Sequence, residues 1–316
     1  MKNCLLVVPL SFYSFSDQIK DSLTLMNYNV TQINDEYPAN IVGKIMGTLH
    51  IPFIYFFTQK MISKKIIKGE TYDFVLIIKG RGMSISLIDK FKSISPKVIG
   101  YNFDSFRYHN APLNWYKNVT RYYTFDYRDA EKYSLPIIEL FSSLPESLKT
   151  KQIKYSISAI MRNHSNRLEY LDKVLTLLKE DNVYIFIYEK DVFTFFLNFI
   201  KNPVLYLKYR KSISFKPLSY SKYVEVLHNS NFTIDYAHPW QSGITIRCFE
   251  ALSCQTKIIT NNPYNIKNSN FNETNNILFN DEIRPINLVE KYKSLFTITP
   301  KKVIRSRIDF IKELIS

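Results

Sequence analysis

The sequence predicts an α/β protein of two doubly wound, Rossmann-like domains facing a cleft. Three observations carry this. At 316 residues the chain is long enough for two separate hydrophobic cores. Short apolar runs alternate with helical patterns twice in succession, the pattern of strand–helix–strand units and a parallel sheet. The two series are separated by SSLPESLKTKQ (142–152), a polar stretch with a proline and no periodicity that reads as a linker. Domains are therefore expected at 1–148 and 149–316, with a closing helix over 300–315 that packs back toward the first domain.

In the first series CLLVVPL (4–10) reads as a strand, 16–26 as a helix with Ile19, Leu23 and Met26 on one face, and NYNVTQIN as a second strand. A long connection leads to the apolar strand YDFVLIIKG (72–80), whose end supplies a basic loop through Lys79, Gly80, Arg81 and Gly82. A short helix over 87–93, the strands PKVIGYNFD (96–104) and RYYTFD (121–126), and the short helix DAEKYS follow. Ligands of open α/β sheets collect at the carboxyl ends of strands, where Asp104 and Asp126 fall. Capping the next segment is the competing role for each.

In the second series KYSISAI (154–160) reads as a strand. MRNHSNR is a basic loop in which Ser165 is a cap candidate for a helix over 167–179, and NVYIFIY (182–188) is the next strand. The aromatic run VFTFFLNFIKNPVLYLKYRKSI (192–213) ends in Lys201, Lys208, Arg210 and Lys211 and has two readings. It is an interfacial contact with anionic lipid, because ring burial and headgroup attraction add, or it is a buried helix with a basic end. A helix over 220–228 then precedes the richest stretch, 231–262.

Composition narrows the function. Lys plus Arg minus Asp plus Glu is 42 − 28 = +14, so a partner with negative charge is expected: a phosphorylated substrate, anionic lipid or nucleic acid. The charge is dispersed, with no run of five basic residues, which disfavours nucleic acid. Cys4, Cys248 and Cys254 lack metal or redox spacing and read as reduced, buried thiols of a cytoplasmic protein. No apolar run reaches the roughly 18 residues of a membrane span. The carboxylates show no metal-ligand clustering, so no metal is expected. Neither G-x-G-x-x-G nor a P-loop occurs, which removes support for nicotinamide dehydrogenases and P-loop enzymes.

Within 231–262, NFTIDYAHPWQSGITIRCFEALSCQTKIITNN, an apolar strand ending at Asp235 meets a loop with His238, Pro239, Trp240 and Gln241. A helix is expected from Ser242 or Gly243 to Ser253, then a strand at 257–260. The free amides of such a helix suit an anion. With only seven glycines in the chain, Gly243 at the expected helix start has two explanations, closeness to a phosphate or the needs of a turn. Arg247 and Glu250 lie one turn apart and read as lining one face or as an ion pair with each other.

FEALSCQTKIITNN resembles the donor-site helix and following strand of two-domain nucleotide-sugar glycosyltransferases of the GT-B fold. DYAHPWQSGITIRCFEAL, with YDFVLIIKG, YNFDSF and TFDYRDAEKY, resembles bacterial glycosyltransferases of surface-polysaccharide and lipopolysaccharide assembly, related to the CgeB-like group. The resemblance implies a nucleotide-sugar donor held by the second domain, an acceptor glycan held by the first, and no metal or other cofactor. Carried over by position, Glu250 binds the donor ribose, and Gln241, Ser242, Gly243 and Thr245 surround the pyrophosphate or sugar. Arg247 and Arg167 supply charge. Lys79, Arg81 and Asp126 are acceptor-side candidates. Two departures stand out. Ser242 occupies the position where many retaining relatives carry a second Glu, leaving the stereochemical course open, and the loop after KYSISAI lacks the usual glycine.

The implied chemistry is displacement of a nucleoside phosphate from an anomeric carbon by an acceptor hydroxyl. Helix amides and Arg or Lys would meet the charge on the leaving phosphate. In an inverting reaction a base takes the hydroxyl proton, and Asp104, then His238, are the candidates. The expected location is the cytoplasm, at the inner face of the bacterial inner membrane. The alternatives are a basic nucleic-acid-binding or scaffold protein and a sugar-nucleotide enzyme that transfers no glycosyl group.

Overall fold

The computed structural model describes residues 2–10, 13–38, 40–49, 51–66, 69–144 and 150–316. The expected domain boundary at 148/149 lies outside the described residues. Two compact units emerge, each drawn from separated stretches of chain. The first contains Met1–Phe141, Pro239–Gly243 and Ser306–Ser316, and the second contains Ser142–His238 and Ile244–Arg305.

The first unit runs β1 (Lys2–Val7), α1 (Tyr13–Leu25), β2 (Tyr28–Ile33), α2 (Ile41–Thr48), α3 (Phe53–Lys65), β3 (Phe74–Ile78), α4 (Ile85–Ile94), β4 (Val98–Asn102), β5 (Arg121–Thr124) and α5 (Tyr127–Tyr133). Its sheet is parallel with the order β2-β1-β3-β4-β5. β3 and β4 are buried along their whole length, which is why they read as unbroken apolar runs rather than alternating ones. The connection between β2 and β3 carries two helices that the sequence reading left as a long connection. Pro52 ahead of α3 suits a helix start, where no amide is needed.

The second unit runs β6 (Tyr155–Arg162), α6 (Arg167–Leu178), β7 (Val183–Tyr188), α7 (Val192–Lys201), α8 (Pro203–Tyr209), β8 (Ile213–Ser214), α9 (Tyr220–His228), β9 (Ser230–Asp235), α10 (Ile246–Ser253), β10 (Lys257–Thr260), β11 (Asn276–Leu278) and α11 (Pro285–Leu295). The sheet is again parallel, in the order β11-β10-β9-β6-β7-β8. Ile157, Phe232, Ile234 and Ile259 from its strands pack with Leu171, Val174, Leu288 and Tyr292 from α6 and α11.

α12 (Arg307–Ile315) belongs to the first unit. Ser306 caps it with a reciprocal Ser–Asp309 capping box, so the helix begins at 307 rather than the expected 300. Phe310, Ile311 and Leu314 are buried, with Phe310 against Tyr101 and Phe141. Burial of each such side chain contributes about 1.5–3 kcal/mol. α7, for which a buried helix was one reading, has no buried residue. Ser165 does not cap α6: it sits at φ 58°, and Asn166 is the cap position.

Candidate active site

In the second unit the strand order reverses between β6 and β9, and α/β sheets bind ligands at the carboxyl ends flanking such a reversal. His164 follows β6 and His238 follows β9, and their rings lie 6.1 Å apart. Arg167, at the start of α6, donates to the carbonyl of Arg162 at 3.2 Å and to that of Tyr236 at 3.3 Å. It thus ties the two strand ends together.

Asp235, buried at the end of β9, organises the next layer. It accepts from the Thr245 hydroxyl at 2.9 Å and pairs with Arg247 at 3.1 Å. The Arg247 Nε is buried without a partner among the described residues. The ion-pair reading of Arg247 with Glu250 is therefore replaced by Arg247 with Asp235. Glu250 faces α9 instead, accepting from Tyr220 at 3.1 Å and Tyr223 at 2.6 Å. Burial raises its pKa, and the two tyrosines and Arg247 oppose that shift. Each carboxylate oxygen has a second acceptor direction, so these bonds leave capacity for a ligand hydroxyl.

The field here is positive. Burial pushes the His164 imidazole down from 6.5 to about 4, and Arg167, Arg162, His238 and Arg247 push it the same way. These neighbours are all basic, which suits phosphate. The sequence reading singled out the basic loop MRNHSNR but not His164 within it. A second buried group, Glu189 with Asn163 at 2.6 Å and Tyr206 at 2.5 Å, was not foreseen, because its partners come from three separate elements.

α10 begins at Ile246 with Thr245 as its cap residue, three or four residues later than expected. Residues 239–243 are a turn and loop belonging to the first unit. There the main-chain N–H of Ser242 donates to Asp126 at 2.6 Å and its hydroxyl at 2.7 Å, and the hydroxyl accepts from the Arg128 amide at 2.9 Å. Ser242 is fully buried. A Cβ on Gly243 would stand 2.2 Å from the Phe125 ring, so packing against an aromatic side chain explains this glycine. Asp126 caps α5 by accepting from Arg128 and Asp129. Ser242 and Asp126 thus hold each other, and Asp126 holds the start of α5.

Asp104 is placed differently. It follows β4, pairs with Lys79 at 2.6 Å and accepts from the Gln241 amide at 2.9 Å, with its side chain 14% exposed. Lys79 at φ 65° and Gly80 at φ 63° form a left-handed turn after β3. Gly80 is required twice over, since a Cβ would meet Trp115 at 2.4 Å. Left-handed backbone in a residue with a side chain, as at Lys79, concentrates at functional sites. Arg81 pairs with Glu36 at 3.1 Å and its amide donates to Asp35 at 3.1 Å. His109, which the sequence did not single out, is half-buried beside Lys79, Arg81 and Asp104. Burial, reinforced by Lys79 and Arg81, pushes it down to about 3. Among the described residues no group of three or more His, Cys, Asp or Glu side chains is arranged to hold a metal ion.

Two parallel-sheet α/β units, with charged and polar side chains at their strand carboxyl ends, define the GT-B class of fold. No protein-family model matches the chain, and no curated protein does. Solved structures do. A glycosyltransferase from Rickettsia africae aligns with a TM-score of 0.57 at 14% identity, covering 99% of this chain and 91% of that one. The lipopolysaccharide outer core galactosyltransferase WaaB aligns at 0.54 and 10% identity, covering 100% and 94%. The UDP-GlcNAc 2-epimerase of Methanocaldococcus jannaschii, in complex with UDP-GlcNAc and UDP, aligns at 0.52 and 11% identity, covering 99% and 98%. At these identities the likeness is one of fold.

Proposed function

We propose that the protein is a glycosyltransferase that moves a sugar from a nucleotide-sugar donor to a hydroxyl of a bacterial surface glycan, without a metal. The observation that carries this reading is the basic set at the β6–β9 reversal, His164, Arg167, His238 and Arg247, with Glu250 beyond it. Arg167 and Arg247 meet the donor diphosphate together with the first amides of α10, and Glu250 accepts the ribose hydroxyls. Charge developing on the leaving phosphate is then stabilised by groups already in place. The first unit receives the acceptor, with Asp104 as the base and Lys79 and Arg81 positioning sugar hydroxyls. The fold likeness to a lipopolysaccharide galactosyltransferase supports the surface-glycan reading. α7 presents Phe193 and Phe196 outward, and 192–211 is the segment assigned to contact with the cytoplasmic face of the anionic inner membrane.

The test is thermal shift against nucleoside mono- and diphosphates, in the parent protein and in Glu250→Ala. A diphosphate-dependent rise that shrinks in the variant is expected, with affinity falling roughly tenfold to hundredfold for one lost charge-assisted hydrogen-bond acceptor. No shift with any nucleotide would sink the reading. The fold is shared with an epimerase, which supports a second reading as a sugar-nucleotide isomerase. Incubation with a nucleotide sugar and no acceptor separates them: a new sugar isomer would favour the isomerase.

A further inference from the structure

The outer face of α3 is built the wrong way round for a helix that meets only water. Ile54, Thr58 and Ile62 form its buried line at a spacing of four. Beside that line Phe53, Phe56, Phe57 and Met61 are 65, 60, 43 and 37% exposed, and these positions follow the i, i+3, i+4, i+8 spacing of one stripe. α2 packs against α3 and adds Ile41 and Ile45, 75 and 51% exposed. Contiguous apolar surface of this kind marks an interaction site.

Charge identifies the partner. Between Glu36 and Glu70 the chain has five lysines and neither Asp nor Glu. Lys60 and Lys64 continue the aromatic stripe along α3 and are exposed. A second copy docked through this face would set these lysines against their own equivalents with no acid in the segment to balance them. A purely apolar protein partner would leave them unused. A bilayer with anionic headgroups takes both parts, the rings at the acyl boundary and the ammonium groups at the phosphates. We propose that α2 and α3 form a docking surface for an anionic lipid bilayer, independent of the segment 192–211.

The experiment is co-sedimentation of the full chain with phosphatidylcholine vesicles, with and without phosphatidylglycerol. The parent is compared with Phe53→Ser/Phe56→Ser/Phe57→Ser, with Lys60→Glu/Lys64→Glu, and with Phe193→Ser/Phe196→Ser on α7. Melting temperature is followed in parallel; the α3 changes leave Ile54, Thr58 and Ile62 in place. Expected is binding at least tenfold stronger to the anionic vesicles, weakened about tenfold or more in each α3 variant. Equal binding to both vesicles, no binding, or loss confined to the α7 variant would overturn the proposal. So would a concentration-dependent dimer that the serine variant abolishes, which would assign the face to a second copy. Nucleotide thermal shifts are measured without lipid, so the docking surface and the donor site can fail separately.

Discussion

The strand ends of the two sheets differ in how their charges are balanced. In the first unit Lys79 pairs with Asp104 and Arg81 with Glu36. In the second, Asp235 answers Arg247, while Arg162, Arg167, His164 and His238 gather at the same reversal of strand order. A set of ion pairs suits neutral, hydroxyl-rich sugars, and a cluster of basic side chains suits phosphate. The same architecture thus offers two chemistries, and the choice lies in which partners the loop residues bring.

The largest effect that sharpens this comparison is structural. Arg247→Ala leaves Asp235 buried and unpaired and should lower unfolding stability by roughly 3–5 kcal/mol, read as a fall in denaturant midpoint. Asp235→Leu in the same chain should recover much of that, and failure to recover would argue against the pair as the cause. Next, Asp104→Asn should slow glycosyl transfer by roughly 10²–10⁴ while nucleotide thermal shifts stay unchanged. An equal loss of nucleotide affinity would erase the division of labour between the two sets.

The smallest effects are pH slopes of opposite sign. His164, pushed down from 6.5 to about 4, binds fewer protons folded than unfolded across that window. Its contribution to stability is therefore complete above pH 6.5 and lost as pH falls toward 4. Asp35 is pushed up from 3.8 to about 6 by burial and by Glu36, so it binds more protons folded. Its contribution is complete below pH 3.8 and lost as pH rises to 6. Denaturation midpoints across pH 4–6.5 should flatten on the rising side in His164→Gln and on the falling side in Asp35→Asn. Slopes unaltered by either variant would break the assignment.

The fold was legible because parallel strands buried on both faces leave unmistakable apolar runs, such as FVLII and VIGYN. What escaped depended on distant residues. Gly243 reads in sequence as close to a phosphate or as serving a turn, and the structure adds Phe125, more than a hundred residues earlier, against which only a glycine fits. Ser242 is committed to Asp126 for the same kind of reason. α3 was hidden because both of its faces are apolar, so the period that betrays a helix is blurred. Arg167, Thr245, Arg247 and Glu250, singled out by the sequence, lie on helices or at their start beside the reversal of strand order. His164 and His109 carried no local pattern to mark them; only the loops that gather around them reveal their place.

Assembly of the first unit from residues 1–141, 239–243 and 306–316 has a consequence for biogenesis. On the ribosome its five strands are available early, but Phe310, which closes the surface formed by Tyr101 and Phe141, is synthesised some 170 residues after Phe141. Such long-range closure slows folding. The second unit takes its last piece at Arg305, so the chain must be made almost as far before either unit is whole.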